Sequence, residues 1–248
     1  MAKAIQYEMI RSELEEIVGE GNVSTRESDR LVYATDWFWI PQMWLDRGEQ
    51  PVKPDYIVHP GSAEEVAAIM GVANNFRIPV VPWGGGSGSQ GGAATIFGGI
   101  LLDTKRMNRI IEIDEKTLSV TAEAGINGQQ LEWALNEKGL TLPHYAASSN
   151  CATLGGYLAP RGSGTISTKY GKSEELVMSM QIVLPTGEII RTGNVPIHAA
   201  GPDYFHLFLG SEGVFGVITE ATMQVEYIPE TRLLRAMVFE NLSDALEA

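Results

Sequence analysis

Residues 82–92 read PWGGGSGSQGG, and six of these eleven residues are glycine. The run follows Ile78-Pro79-Val80-Val81, an apolar stretch that reads as a short buried strand. Glycine has no Cβ, so it adopts positive φ freely and lets backbone N–H groups come close to a ligand. Successive N–H groups pointing one way form a nest for an anion. The stretch therefore reads as a loop that holds a phosphate or diphosphate.

Three other readings fit less well. A Walker A loop needs Lys and then Ser or Thr after its glycines, and no Lys follows here. Gly86, Gly88 and Gly91 spell GxGxxG, and Asp103 stands near the place of a ribose-binding acid. A dinucleotide fingerprint of that kind opens a helix. The segment after Gly91 is AATIFGGILLD, with two more glycines and an apolar end, so it reads as loop and then strand. A flexible Gly/Ser linker is disfavoured by the strand-like sequence on both sides.

The 248 residues suffice for one large domain or two small ones. A net charge of −13 argues against a nucleic-acid footprint, which needs a basic face, and against attraction to an anionic membrane. Cys151 is the only cysteine, so no internal disulfide can form. No CxxC or His-rich tract points to a metal. The opening MAKAIQYEMIRSELEEIVGE lacks a contiguous apolar core and is rich in acids. It reads as neither signal nor transit peptide. No apolar run reaches the roughly 18 residues of a membrane span, and a cytoplasmic protein is expected.

Along the chain, Ile5, Met9, Leu14 and Ile17 fall at roughly helical spacing, and Gly19 and Gly21 stop that helix. Trp37, Phe38, Trp39 and Trp44 crowd together. They are expected to bury large area against the body, or else to line a site or a subunit contact. Residues 51–60 give a strand between prolines. Ser62 with Glu65 forms a capping box for the following helix, which ends around Asn74, Asn75 and Arg77. With the strand before the glycine loop, this makes a β-α-β unit. Residues 109–124 alternate into a hairpin about Asp114-Glu115-Lys116. Asn127 caps a helix over 128–138, ended by Gly139. The stretch SSNCATLGGYLAPRGSGTISTKYG (148–171) is too glycine-rich for regular structure and too long for an ordinary connection. Strands are expected at 177–184 and 188–192, then another glycine-rich piece, GPDYFHLFLGSEGVFGVITEATMQV. A new strand is expected over 232–240 and a helix from Asn241, with Ser243 as its cap.

Three glycine-rich segments in this order carry a resemblance: PWGGGSGSQGG, then CATLGG with RGSG and KYG, then GSEGVFGVITEA. Over about residues 51–230 the chain resembles the FAD-binding domain of the vanillyl-alcohol oxidase / p-cresol methylhydroxylase superfamily. It is similar to D-lactate and glycolate dehydrogenase subunits in YATD (Tyr33 to Asp36), the glycine loop and GSEG…GVITEA. It is similar to the alkyl-dihydroxyacetone-phosphate synthase branch in His144, in Arg161-Gly162-Ser163-Gly164 and in Gly201-Pro202-Asp203.

The resemblance implies an α+β fold, a two-subdomain FAD-binding fold of the p-cresol methylhydroxylase type. Residues 1–50 would be an N-terminal helix and aromatic segment. Residues 51–230 would hold FAD, in subdomains of about 51–108 and 109–230. Residues 231–248 would begin a cap domain that is otherwise absent. Pro82, Trp83, Gly84, Gly85, Gly86, Ser87 and Gly88 would wrap the diphosphate with N–H groups. Ser148, Ser149, Asn150, Cys151 and Thr153, with Pro160, Arg161, Gly162 and Ser163, would meet diphosphate, ribitol and ring. Gly155 and Gly156 would let the backbone pass close, and Tyr170 belongs to the same segment. Glu212, Gly213, Gly216, Val217 and Ile218 would hold the adenosine end.

Some relatives bond flavin to a His in the glycine loop, where Ser87 and Ser89 stand here. Others use a Cys two positions before the Thr, which is where Cys151 stands relative to Thr153. Small buried cysteines are usually inert, so the expected FAD is non-covalent. His59 reads as structural and His198 as a loop residue. His144, His206 and Arg161 are the catalytic candidates, since a histidine facing the flavin could move a proton near neutral pH.

The implied activity is an FAD-linked oxidase or dehydrogenase. It would move a hydride from a small organic acid or alcohol, a D-2-hydroxy acid by analogy, to flavin. The alternatives are a flavin-dependent transferase of the synthase type and an electron-transfer flavin subunit. A partner subunit or a C-terminal cap is expected to complete the substrate pocket, leaving Leu233, Leu234, Met237 and Val238 as an edge seeking a partner.

Overall fold

The computed structural model describes residues 2–193, 201–202 and 204–247. His198 and Asp203 lie outside the described residues. Four strands make the first sheet: β1 (Val23–Ser24), β2 (Tyr56–Val58), β3 (Val80–Trp83) and β4 (Ile100–Asp103), in the order β1-β2-β4-β3. β2, β4 and β3 are parallel, and β1 is antiparallel at the edge. Helices α1 (Ala2–Val18), α2 (Glu27–Val32), α3 (Trp39–Asp46) and α4 (Ala63–Phe76) belong to this half. The β-α-β unit is β2–α4–β3, with β4 inserted between its two strands.

Every residue of β2 and β4 is buried, as both faces of a parallel sheet are covered. On one face Val58, Ile100 and Leu102 pack with Ile69 of α4 and Leu14 of α1. On the other, Ile57, Trp83 and Leu101 pack with Tyr33. Ser62 Oγ accepts from Glu65 N at 3.2 Å. The Glu65 carboxylate reaches back to Gly61 N at 2.7 Å, one residue earlier than a capping box would have it. Arg77, at φ 55°, closes the helix.

Two expectations for this half are corrected. Ile5 and Met9 of α1 are 62% and 50% exposed, while Ile10, Leu14 and Val18 are buried. Spacing of four keeps those three on one line of the helix. Trp37 and Trp39 are 72% and 61% exposed rather than buried. Trp37 N donates to Gly86 O at 3.1 Å, and the Phe38 ring lies against Gly91. The backbone is thus pinned to the glycine loop, Phe38 is half-buried, and the two indoles face outward.

The second sheet contains β5 (Ile110–Asp114), β6 (Ser119–Glu123), β8 (Val177–Val183), β9 (Ile189–Arg191) and β10 (Val217–Gln224). Its order is β5-β6-β10-β8-β9, antiparallel throughout. A small pair, β7 (Leu140–Thr141) and β11 (Glu226–Tyr227), stands apart. Helices α5 (Gly128–Asn136) and α6 (Leu154–Leu158) supply Leu131, Leu135, Leu154 and Leu158 to the core against Met180, Ile182 and Met223. Asn127 caps α5, accepting from Gln129 N and Gln130 N. Val183 and Val217 pack into the first core and so join the halves.

The stretch 148–171 contains regular structure after all. Thr153 Oγ1 accepts from Gly156 N at 3.2 Å and starts α6. Leu154, Tyr157 and Leu158, spaced i, i+3, i+4, are all buried. Burial of that face offsets the cost of the two glycines within it. Residues 232–240 form no strand. Leu233, Leu234, Met237 and Val238 are exposed, since no strand among the described residues pairs with them. The last helix, Leu242–Glu247, is capped by Asn241, which accepts from Asp244 N at 3.0 Å, and not by Ser243.

Candidate functional site

The glycine loop leaves the carboxyl end of β3 and bends over a cleft of about 320 Å³ between the two sheets. That size falls in the usual range for small-molecule sites. Glycine is needed where the loop meets its neighbours. A Cβ on Gly85 would stand 2.6 Å from the Cys151 carbonyl carbon. Gly86, at φ +65°, lies against the Trp83 indole. Gly213, at φ +86°, brings the third segment onto Pro82, where a Cβ would come within 2.9 Å of Cγ. All three glycine-rich segments therefore converge on one cleft, though they are far apart in sequence.

The backbone donors of the loop are available. Among the described residues, no N–H from Gly85 to Ala93 donates to a protein acceptor, although Gly86 O and Gly91 O both accept. Backbone donors ordinarily find partners, so this run is set up for water or for a ligand anion. No Lys, Arg or His among the described residues lines the cleft. Its charged side chains are the carboxylates of Asp36 and Glu212. Lys105 approaches Gly84 O at 3.4 Å but pairs with Asp103 at 2.8 Å.

Of the residues singled out in the sequence, the whole run Pro82–Gly88 lines the cleft. So do Ser148, Gly155, Gly156, Pro160, Gly162 and Ser163 from the second segment, and Glu212, Gly213, Gly216, Val217 and Ile218 from the third. Ser149 lines a neighbouring cavity instead. Asn150, Cys151, Thr153 and Tyr170 are not on the cleft wall. Thr153 is consumed in capping α6, and the Cys151 thiol, on an exposed residue, donates to Ser148 O at 3.3 Å. Asp36, Gln90, Gly92, Ala146 and Tyr157 line the cleft without having been singled out as site residues. Gln90 and Gly92 lie within the quoted loop, Asp36 ends the YATD motif and Tyr157 lies in the second glycine-rich segment; nothing local in the sequence marks Ala146.

The catalytic candidates separate. Arg161, at φ 58°, turns its guanidinium to Leu209 O at 3.1 Å, away from the cleft. His206 is exposed and off the cleft wall, its ring edge-on to Phe205. His144 is buried and packs on the Tyr157 ring, centroids 4.5 Å apart. It lines the second cavity, of about 330 Å³, which shares Ala146 and Tyr157 with the cleft. Among the described residues, neither imidazole nitrogen nor the Tyr157 hydroxyl has a partner. Burial lowers the His144 pKa and raises that of Tyr157.

Asp103 is not a ribose ligand. It is fully buried behind the loop, accepting from Tyr33 Oη at 2.6 Å and Lys105 N at 3.0 Å, with His59 Nδ1 3.5 Å away. Burial lowers the His59 pKa, and burial with the adjacent Asp103 raises that of Tyr33. His59 is thus structural, beneath the site.

A parallel β-α-β half and an antiparallel five-stranded half meet at a cleft whose wall, among the described residues, carries no cation. A family model described as an FAD binding domain matches residues 54–193, more than half of the chain. The chain belongs to this family of FAD binding domains, and FAD is its cofactor. It is 33% identical to the glycolate oxidase subunit GlcD of Bacillus subtilis (strain 168), over 96% of this chain and 49% of that protein. It is 36% identical to the alkyldihydroxyacetonephosphate synthase of Caenorhabditis elegans, over 82% of this chain and 34% of that protein. A solved alkyldihydroxyacetonephosphate synthase superposes with a TM-score of 0.84 at 32% identity, over 91% of this chain and 41% of that one. The chain spans about half the length, or less, of the curated relatives it matches. No helix among the described residues is long and apolar enough to cross a membrane.

Proposed function

We propose that this chain is the FAD-binding part of a dehydrogenase or oxidase acting on a small D-2-hydroxy acid. The FAD part of this reading is carried by the N–H donors from Gly85 to Ala93, which among the described residues have no protein acceptor, and by the absence of a cationic side chain among the described residues of the cleft wall. Those donors would hold the diphosphate. Ser148, Ser163 and the backbone at Gly155 and Gly156 would face the flavin half, and Glu212 to Ile218 the adenosine half. When bound, FAD supplies the hydride acceptor. The chain's own part is to bind, orient and shield it, and burial disfavours the charged forms of Tyr157 and His144. The base that takes the substrate's hydroxyl proton would come from a cap domain or partner subunit, consistent with the exposed apolar run over 233–238. The similarity to the glycolate oxidase subunit favours the hydroxy-acid substrate.

A second reading, a flavin-dependent transferase, is favoured by the superposition on the synthase. The purified chain should be yellow or turn yellow with FAD. On this reading FAD is held without a covalent bond, so acid precipitation should leave the colour in the supernatant. Anaerobic D-lactate or glycolate, added with the completing domain or partner, should bleach the visible flavin band and yield the 2-oxo acid. Bleaching without an oxidised product selects the transferase; a chain that takes up no FAD ends both readings.

A further inference from the structure

Asp36 lies outside the stretch that the family model matches, yet it lines the cleft. It is 4% exposed. Its Oδ1 accepts from Phe38 N at 2.9 Å, while Oδ2 is buried with no partner among the described residues. The segment is held to the loop by Trp37 N donating to Gly86 O, which places Oδ2 3.9 Å from where a Cβ on Gly88 would sit. A buried carboxylate oxygen without a donor is costly, so a bound molecule is expected to supply one.

The charge pattern decides which part of the ligand that is. Among the described residues the cleft wall carries two carboxylates and no cation, and on the flavin reading it would accept a diphosphate. A carboxylate facing the phosphates would repel them, and at short range in a partly buried site that repulsion is weakly screened. A carboxylate facing neutral hydroxyl donors gains charge-assisted hydrogen bonds instead. Vicinal hydroxyls occur in FAD on either side of the diphosphate, on the adenosine ribose and on the ribityl chain. Resting on the flavin reading above, we infer that Asp36 is a cofactor-positioning residue whose Oδ2 accepts a hydrogen bond from a sugar-type hydroxyl flanking the diphosphate.

Titrating the purified chain with FAD and following flavin fluorescence tests this. Asp36→Asn keeps an oxygen for Phe38 N but presents an amide in place of the carboxylate. It should weaken FAD binding about tenfold or more, the scale of a charged hydrogen bond. Titrations with ADP and with FMN tell the two sources apart. Loss confined to ADP assigns the adenosine ribose; loss confined to FMN assigns the ribityl chain. Unchanged or tighter FAD binding by Asp36→Asn overturns the inference, since removing an idle negative charge would only relieve repulsion. Independently of any variant, wild-type protein should bind either the 2′-deoxyadenosine or the 2′-deoxyribityl form of FAD more weakly. If neither is weakened, or if a chelator abolishes wild-type binding, the carboxylate serves another purpose and the inference fails. A wild-type chain that binds no FAD removes the flavin reading as well; one that binds FAD with Asp36 immaterial removes this inference alone.

Discussion

Gly85 and Cys151 lie back to back, so that a Cβ on Gly85 would stand 2.6 Å from the Cys151 carbonyl carbon. This approach joins the glycine loop to the second glycine-rich segment. Backbone cannot yield as a flexible side chain can. Gly85→Ala should therefore cost about 2 kcal/mol, lower the melting temperature by about 4–8 °C, and reduce FAD uptake. A calorimetric scan with and without FAD checks it. A melting point within about 1 °C of the wild type, with full FAD binding, would show that the contact is loose.

Tyr33→Phe removes the hydroxyl that donates to buried Asp103 at 2.6 Å. The carboxylate keeps Lys105 but loses a donor, at an expected cost of about 1–3 kcal/mol. Urea unfolding should show a lower midpoint with an unchanged slope. No change in midpoint would mean that water replaces the phenol.

His144 predicts a pH dependence. Burial lowers its folded pKa below the unfolded value, which is about 6.5. Between those two values the unfolded chain binds more protons, so stability rises with pH there and is lost as pH falls below about 6.5. His59 shifts in the same direction. His144→Phe removes two nitrogens that have no partner among the described residues and keeps a ring on Tyr157. It should be neutral or stabilising and should flatten the acid limb of the melting-temperature profile relative to wild type. A steeper limb in the variant would contradict the assignment.

Trp37→Ser and Trp39→Ser should each change stability by no more than about 0.5 kcal/mol, or about 2 °C, because both indoles face solvent. A loss of several kcal/mol in either would show that the ring is buried in solution.

Much of the architecture was legible in the sequence because its signals are local. Glycine content announced the loop, since freedom in φ and close backbone approach depend on a missing Cβ alone. The Ser62 and Asn127 caps, the hairpin of β5 and β6, and the strands β8 and β9 also followed from neighbours a few residues apart. Other features answer to distant partners, and only the tertiary structure decided them. β10 enters the middle of its sheet, between β6 and β8. The face α1 buries is chosen by α4 and the first sheet. Residues 232–240 are apolar enough for a strand but have no described neighbour to pair with. Asp36 reaches the cleft only because Trp37 N finds Gly86 O nearly fifty residues on. Backbone permission is written residue by residue; the burial of a carboxylate or an indole is a property of whatever packs against it.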